Sequence, residues 1–293
     1  MIRSTVFPAC LMSLLLIAFG SVSRAQSGCN FKDFNYPGAL QTTTEAVNNM
    51  NHVVGVYFDS TGTIQRAFLF QNGRFSSFSG PNGTTDTEAS GINNKAQVVG
   101  RYYDAASGHT KAFLVNSTGF HTLNIPTTGD AYAEGINDSG VIVGTIENSD
   151  GSEFAYTLVH GKVTTFQNSG MNTSAHGINN AGQIVGSFDN GIGTRIGYIR
   201  SASGTFTTFT AGDQFTEPMK INKAGEAAGF AFDSVQGHSS FVYAQGTIVP
   251  IGQSGTAETD VFGVNDNDDL VGGVISNAGA HEKGFFAPCT NVF

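Results

Sequence analysis

Five carboxylates are the residues of this sequence whose type and spacing best support chemistry. They come from five separate segments of the chain: Glu45, Glu88, Glu134, Glu217 and Asp260. Carboxylate oxygens gathered at one opening can bind Ca²⁺, which prefers oxygen ligands, or a cationic or polyhydroxylated partner. The competing interpretation is that an acidic protein places solubilising charge in its loops. The first interpretation requires an architecture that brings the five segments together.

One histidine suggests a different chemistry. His176 is predicted to face the same opening, where Glu134 of the adjacent unit could complete an acid–base pair with Tyr132 close in register. A histidine whose ring is satisfied by neighbouring backbone is the more ordinary interpretation. Glu134 and His176 are therefore the two candidate catalytic residues if the protein is an enzyme.

Other familiar motifs are incomplete. The run DNDD at residues 266–269 lacks the Gly and the distal Glu of a calcium-binding loop, so an ordinary turn is expected there. The seven histidines have no metal-ligand spacing, since His109, His238 and His281 each lack a second ligand nearby in sequence. The sequence also contains no GxSxG, HExxH, phosphate-loop or CxxC motif.

The carboxylate segments belong to a unit that occurs six times with a period of 42 to 45 residues. Each unit contains an Asn followed seven residues later by a Gly, as in GINNKAQVVG and GINDSGVIVG. The six Asn positions are Asn48, Asn93, Asn137, Asn179, Asn222 and Asn265. The six Gly positions are Gly55, Gly100, Gly144, Gly186, Gly229 and Gly272. Self-similarity at this period is typical of propellers and repeat arrays.

Each unit is predicted to form four short strands, named a to d in chain order. Strand a ends at the Asn, and the third residue after it should adopt positive φ, as Gly140, Gly182 and Gly225 can do readily. Ala96 at the same position predicts a strained turn. Strand b is an apolar run, strand c contains an aromatic residue, and strand d follows a Gly turn. The residue two before the Asn is Ala or Gly in five units and Lys220 in the other.

The two ends of the chain complement each other. The sixth unit stops after strand c, whereas residues 29–34, CNFKDF, resemble a strand d with no unit before it. The predicted fold class is therefore all-β, a six-bladed β-propeller of four-stranded blades whose last blade is closed by the N-terminal strand. The same alignment places Cys29 and Cys289 in one turn and predicts a disulfide between them. A lipid anchor on Cys29 and two unrelated thiols are the alternatives.

The first 25 residues have the layout of a secretory signal, with Arg3, an apolar stretch and a small residue before the expected cleavage site. Cleavage would remove Cys10 and leave one domain, residues 26–293, that is secreted or periplasmic and monomeric. Of the 14 basic residues, Arg3 and Arg24 lie in this signal, leaving 12 against 23 acidic residues. That balance argues against a nucleic-acid partner, and no later segment is long and apolar enough to span a membrane.

Three sequence features identify a family resemblance that covers all six units. They are the phrase GIN-x-x-G-x-x-VG, an Ala before the aromatic residue of strand c, and the strand GTFTTF together with the tripeptide PGA near the N-terminus. These features resemble the bacterial extracellular repeats of the HAF type. The resemblance implies an exported bacterial repeat protein and brings no activity or site residues with it. In this chain no unit has the His of the His-Ala-Phe triplet, and the absence of Trp excludes WD repeats.

The function expected from the sequence follows from where the acidic residues fall. In a propeller of this kind the d–a and b–c connections emerge on one face, and most of the acidic residues lie on them. We therefore expect a non-catalytic binding or scaffolding module for an extracellular glycan, protein or cation at an acidic channel mouth, with no required cofactor. A hydrolase or lyase acting on extracellular polysaccharide and a structural surface protein are the alternatives, because the fold hosts all three.

Overall fold

The structure, a computed structural model, describes residues 28–276 and 281–290. The predicted signal peptide and Cys10 lie outside these residues. The described chain is a six-bladed β-propeller in which each blade is a four-stranded antiparallel sheet. A single parallel bridge between Arg195 and Phe215 joins the fourth and fifth sheets. No helix within the described residues has the length and apolarity to cross a membrane.

The strands follow the chain from the inner to the outer edge of each blade. Blade 1 contains β2 (Gln41–Val47), β3 (Val53–Phe58), β4 (Gln65–Gln71) and β5 (Arg74–Phe78). After a 3-10 turn at Pro81–Gly83, blade 2 contains β6 (Thr87–Ile92), β7 (Val98–Asp104), β8 (His109–Asn116) and β9 (Gly119–Thr122). Blade 3 contains β10 (Asp130–Ile136), β11 (Ile142–Glu147), β12 (Glu153–Val159) and β13 (Lys162–Phe166).

The second half of the ring repeats this order. Blade 4 contains β14 (Thr173–Ile178), β15 (Ile184–Asp189), β16 (Arg195–Arg200) and β17 (Phe206–Phe209). Blade 5 contains β18 (Phe215–Ile221), β19 (Ala227–Asp233), β20 (Gly237–Ala244) and β21 (Thr247–Ile251). Blade 6 contains β22 (Thr256–Val264), β23 (Asp269–Ser276) and β24 (Lys283–Pro288), and its fourth strand is the N-terminal β1 (Lys32–Asp33).

The N-terminal strand closes the ring as the sequence predicts. Lys32 pairs with Phe286 in an antiparallel ladder between β1 and β24. Next to this ladder, Cys29 and Cys289 form a disulfide that joins residues 260 apart in sequence. The predicted pairing of these two cysteines is therefore confirmed, and a covalent bond replaces the turn that joins strands c and d in the other blades.

The repeated Asn shapes the a–b turn of every blade. In blade 2 the side-chain oxygen of Asn93 accepts hydrogen bonds from the backbone N–H groups of Lys95 and Gln97, each at 3.0 Å. The third residue after each Asn has positive φ, which confirms the predicted turn at Gly140, Gly182 and Gly225. Ala96 is held at φ 55° in the same turn, a conformation that is costly for a residue with a Cβ.

The same asparagines connect neighbouring blades around the axis. The side-chain amide of Asn93 donates to the backbone oxygen of Asn137 at 3.0 Å, and equivalent bonds start from Asn48, Asn137, Asn179 and Asn265. Asn222 instead donates to the Asp268 carboxylate at 3.2 Å. All six asparagines are buried, so each hydrogen bond replaces water that these groups have lost. We call this set of six side chains the asparagine ring.

The repeated Gly allows strands a and b of each blade to pack closely against each other. A Cβ added at Gly100 would overlap the backbone oxygen of Glu88 and lie 2.8 Å from the ring of Phe113. The other repeated glycines face a strand a carbonyl in the same way. The aromatic residues of strand c, Phe68, Phe113, Tyr156, Tyr198, Phe241 and Phe285, are almost completely buried between blades, where close packing maximises dispersion contacts.

Candidate functional site

A β-bulge interrupts the inner strand of every blade at the same place. The ladder between strands a and b skips the residue three before the repeated Asn. The skipped residues are Glu45, Ser90, Glu134, His176, Met219 and Phe262. A bulge leaves its residue unpaired and re-aims its side chain, so the fold presents six different side chains at one level of the channel.

These bulge residues line a cavity of about 660 Å³ at one end of the channel. We call it the mouth cavity. Five of the six bulge residues contribute to its wall, and the sixth, Ser90, donates to the Glu88 carboxylate at 3.2 Å. The complete lining is Glu45, Glu88, Arg101, Glu134, Ser174, His176, Gly193, Arg195, Gln214, Phe215, Glu217, Met219, Phe230 and Phe262.

Four of the five carboxylates proposed from the sequence converge in this cavity. Glu45, Glu88, Glu134 and Glu217 all contribute to its wall, as does His176. Asp260 is absent from the wall and instead contacts His238. The sequence therefore predicted the convergence of the acidic segments for four blades but not the separate environment of the fifth residue.

The histidine of the cavity has a different partner from the one suggested by the sequence. The Nδ1 atom of His176 lies 3.2 Å from the backbone oxygen of Pro218 and 3.7 Å from the Glu217 carboxylate. Both partners belong to blade 5, whereas Glu134 belongs to blade 3. The Tyr132 hydroxyl donates to Glu147 at 3.3 Å instead of joining this group. The proposed Glu134–His176 pair is replaced by a His176–Glu217 pair because the bulge directs the ring towards the following blade.

Two arginines bring positive charge into the mouth cavity. Arg101 lies directly opposite Glu88 in the β6–β7 ladder, and its guanidinium donates to that carboxylate at 2.7 Å. The same guanidinium packs over the ring of Tyr132, 5.4 Å from its centroid. Burial raises the pKa of Glu88, and the charge of Arg101 opposes that rise. The pair therefore provides a hydrogen-bond donor and an acceptor side by side on the cavity wall.

Arg195 organises the opposite side of the cavity. Its Nε atom is 3.2 Å from Glu217, and its Nη2 atom is 3.2 Å from Glu153. Nη2 also donates to the Ser174 hydroxyl at 2.5 Å, while the Ser187 hydroxyl donates to Glu217 at 2.6 Å. A guanidinium held by several acceptors keeps a fixed orientation, so this side of the cavity is preorganised.

Lys220 occupies the position where the other blades have Ala or Gly. Its ammonium donates to the backbone oxygen of His176 at 3.1 Å. Burial lowers the pKa of Lys220, and the charges of Glu134, Glu45 and Glu88 oppose that effect. Burial raises the pKa of Glu45 well above its ordinary value, and the Glu88 charge adds to that rise. Burial therefore disfavours the charged form of both Lys220 and Glu45.

Apolar side chains cover one sector of the cavity. Phe215, Phe230, Phe262 and Met219 belong to blades 5 and 6. The rings of Phe230 and Phe262 meet edge to face with centroids 5.7 Å apart, and Phe215 meets Phe230 in the same way at 5.9 Å. The cavity thus combines charged hydrogen-bonding groups on blades 1 to 5 with an apolar, largely aromatic surface on blades 5 and 6.

The opposite end of the channel is closed by its own hydrogen bonds. The residues after the ring asparagines link neighbouring turns, as when the Asp138 carboxylate accepts from Asn94 N and Nδ2, each at 2.8 Å. The run at residues 266–269 has this structural role, since Asp266 accepts from Asn49 and from Lys223 N at 2.8 and 2.7 Å. The expected ordinary turn is thereby confirmed. The cavity remaining at this end is about 80 Å³.

Comparison with known proteins supports the fold and leaves the family open. No protein-family model and no curated protein sequence matches the chain. The resemblance to HAF-type repeats therefore stays a prediction. Similar solved structures include TolB from Acinetobacter baumannii, with TM-score 0.55 and 11% identity over 87% of this chain. This chain spans 66% of the TolB chain.

Two further structures share the architecture over most of their length. An arginine-to-alanine triple mutant of AofleA from Arthrobotrys oligospora has TM-score 0.51 and 10% identity, covering 88% of this chain and 86% of its own. A mutant of the Aleuria aurantia lectin in complex with Fucalpha1-6GlcNAc has TM-score 0.50 and 11% identity, covering 84% and 96%. At these identities the likeness concerns the β-propeller fold alone.

Proposed function

We propose that the protein is an exported, non-catalytic binding module that accommodates a polyhydroxylated ligand, a glycan, in the mouth cavity. The observation that carries this proposal is the composition of the cavity wall. Carboxylates and arginines that are already paired face an aromatic sector across a volume of about 660 Å³. Small-molecule sites have this character, with apolar walls and a few fixed polar groups that set orientation.

The charges favour a glycan over a multiply charged cation. Arg101 pairs with Glu88, Arg195 pairs with Glu217 and Glu153, and burial raises the pKa of Glu45. A neutral ligand with many hydroxyl groups can donate to the carboxylates and accept from the guanidinium groups without the desolvation cost of a bare ion. The aromatic sector would pack against the C–H faces of a sugar ring. The fold agrees with this use, because one similar propeller is a lectin in complex with a disaccharide.

The proposed location outside the cytoplasm rests on the disulfide. Cys29 and Cys289 form a disulfide, and such bonds persist mainly in oxidising compartments. Within the described residues there is also no helix that could span a membrane. We propose that the protein is secreted or periplasmic, as the N-terminal sequence predicts.

A glycan array tests the proposal. The purified full chain is applied to a panel of neutral and acidic oligosaccharides, in parallel with Glu134→Gln and Phe262→Ala, which change the polar and aromatic sides of the cavity. Glu147→Gln is the matched control, because Glu147 lies at the end of a strand of the same blade but outside the cavity wall. We expect binding that falls at least about tenfold in both cavity variants, equivalent to about 1.4 kcal/mol, and stays within about twofold in the control. Binding to no glycan, or binding that the cavity variants leave unchanged, would refute the proposal.

Two other proposals for this mouth are tested with the same proteins. Calcium at Glu45, Glu88, Glu134 and Glu217 predicts that Ca²⁺ raises the melting temperature more than Na⁺ at equal ionic strength. A hydrolase or lyase predicts release of products from the oligosaccharides and loss of that release in His176→Ala. A structural surface protein predicts neither effect and no glycan binding.

A further inference from the structure

A second cluster of polar side chains lies beside the mouth cavity, between blades 5 and 6. His238 on β20 has its Nδ1 atom 3.1 Å from an Asp260 oxygen and 3.3 Å from a Glu258 oxygen. One ligand atom from each of the three residues lies within 4.8 Å of the other two. Asp260 and Glu258 are two residues apart on β22, so the strand brings both carboxylates to one imidazole. The ring of Phe230 stacks on His238 at 5.4 Å and separates this cluster from the mouth cavity.

A third carboxylate lies next to the strand pair that carries Asp260, because one glycine makes space for it. Gly273 is the cross-strand partner of Asp260. A Cβ on Gly273 would overlap the carboxylate of Glu282, so Glu282 occupies the place of a side chain opposite Asp260. The Oε2 atom of Glu282 accepts a hydrogen bond from Gln41 at 3.1 Å. This bond fixes one oxygen of the carboxylate.

Two of the ligand atoms, and the nearby Glu282 oxygen, are buried without hydrogen-bond partners. Four side-chain atoms among the described residues have this property, and three of them are His238 Nδ1, Asp260 Oδ1 and Glu282 Oε1. The first two are 3.1 Å apart but are not aligned for a hydrogen bond. Buried polar atoms are almost always satisfied in native proteins. The two unsatisfied atoms of His238 and Asp260, 3.1 Å apart on neighbouring blades, therefore favour a positively charged ligand.

We propose that His238, Glu258 and Asp260 form a binding site for one divalent first-row transition-metal ion. An imidazole nitrogen with carboxylate oxygens is a donor set that suits Zn²⁺ and its neighbours, whereas Ca²⁺ and Mg²⁺ prefer oxygen ligands alone. The ion would satisfy the unpartnered His238 Nδ1 and Asp260 Oδ1 atoms at once and join blade 5 to blade 6.

Isothermal titration of the full chain, without a histidine tag and after treatment with a chelator, tests this site. Zn²⁺ is titrated into the wild type, with Ca²⁺ as the comparison ion. We expect one equivalent of Zn²⁺ to bind, with Ca²⁺ at least about a hundredfold weaker. Loss of a ligand in His238→Ala should weaken Zn²⁺ binding by at least about tenfold. Asp260→Asn, which preserves the side-chain volume, should have the same effect if the first variant fails to fold.

His109→Ala is the matched control. His109 occupies a similar position at the start of a strand c, and its Nδ1 atom lies 3.3 Å from a carboxylate, that of Asp130. His109 differs from His238 because it contacts one carboxylate, whereas His238 contacts two. Zn²⁺ affinity should therefore remain within about twofold in this variant. The site is refuted if the wild type binds no Zn²⁺, if Ca²⁺ binds equally well, or if the His109 and His238 variants lose the same affinity.

Discussion

The two ends of the channel are built from the same six strands and have opposite characters. At one end the asparagine ring repeats a single residue type, its side chains bond to one another's turns, and about 80 Å³ remains open. At the other end, three residues earlier in the same strands, the bulge residues are of five different types and border about 660 Å³. Identical neighbours can satisfy one another in a ring, whereas different side chains leave polar groups available to a ligand.

This contrast separates what the repeat encodes from what it does not. The residues that recur in every unit, the Asn, the Gly and the strand c aromatic, all have partners inside the fold. The residues that could select a ligand are those that change from unit to unit at fixed positions. We therefore expect substitutions at the asparagine ring to lower stability without changing binding, and substitutions at the mouth to change binding without lowering stability.

The largest effect is expected from the covalent closure on the side of the asparagine ring. Replacing both cysteines, Cys29→Ser with Cys289→Ser, removes a link between residues 260 apart in sequence. The chain-entropy account predicts a loss of about 5 kcal/mol in the free energy of unfolding. Urea unfolding of the variant and the wild type measures it, and glycan binding by the folded variant should be unchanged. A loss below about 1 kcal/mol would mean that the disulfide does not close the ring in solution.

A smaller loss of stability is expected from one member of the asparagine ring. Asn137→Ala removes the acceptor for Ser139 N and Val141 N and the donor to Asn179 O. Leaving these buried groups unpaired should cost roughly 2–4 kcal/mol in urea unfolding. Asn116→Ala is the control, because that side chain caps an exposed turn at Thr118 with no bond to another blade. Equal losses of unfolding free energy in the two variants would show that the asparagine ring contributes no more to stability than an exposed turn does.

At the mouth, replacing a buried glutamate should stabilise the fold. Burial raises the pKa of Glu45, so above the unfolded-state value near 4.5 the unfolded chain ionises more readily than the folded one. The resulting penalty is absent below that pH and grows as the pH rises towards the folded-state pKa. Glu45→Gln removes this penalty and should therefore raise the melting temperature at pH 7.5, by roughly 2–4 °C for each kcal/mol gained in the free energy of unfolding. At pH 4 the substitution should leave the melting temperature unchanged. An increase of equal size at both pH values would contradict this explanation.

The smallest effect is expected at an irregular turn of the asparagine ring. Ala96 has φ 55° where three other blades have Gly. Ala96→Gly should stabilise the protein by at most about 1 kcal/mol because glycine adopts this conformation without steric cost. Gly140→Ala is the reverse change in the next blade and should destabilise by a similar amount. A lower melting temperature for Ala96→Gly would contradict the assigned turn.

The sequence predicted much of the fold because the repeated residues occupy equivalent structural positions in every blade. The Asn positions located the turns, which are confirmed by the positive φ three residues after each Asn. The incomplete sixth unit located the closing strand, which is confirmed by the pairing of β1 with β24. The sequence could not predict the hydrogen bonds that the repeated Asn side chains make. The bond from the Asn93 amide to the backbone oxygen of Asn137, for example, depends on the distance between neighbouring blades. It also did not predict the bulge, which no residue type marks.

The site was predicted in part. Glu45, Glu88, Glu134 and Glu217 were found because the repeat places them at equivalent connections. Arg101 was missed although the repeat contains a signal for it. The residue after each repeated Gly pairs across the sheet with the strand a residue five before the Asn, and in blade 2 these two residues are Arg101 and Glu88. Arg195 was missed because the b–c connections vary in length. His238 was set aside because the carboxylates that it contacts, Glu258 and Asp260, lie on another strand.

One measurement tests the difference between the two ends most directly. Met219 is the bulge residue of blade 5 in the mouth cavity, and Met50 lies in the a–b turn at the asparagine ring. The methyl resonances of methionine, labelled with ¹³C and assigned with Met219→Leu and Met50→Leu, are followed while an oligosaccharide selected on the array is added. We predict that the Met219 resonance shifts with saturation and that the Met50 resonance does not move. A shift of Met50 with Met219 unchanged would place the binding site at the wrong end of the channel and contradict the account.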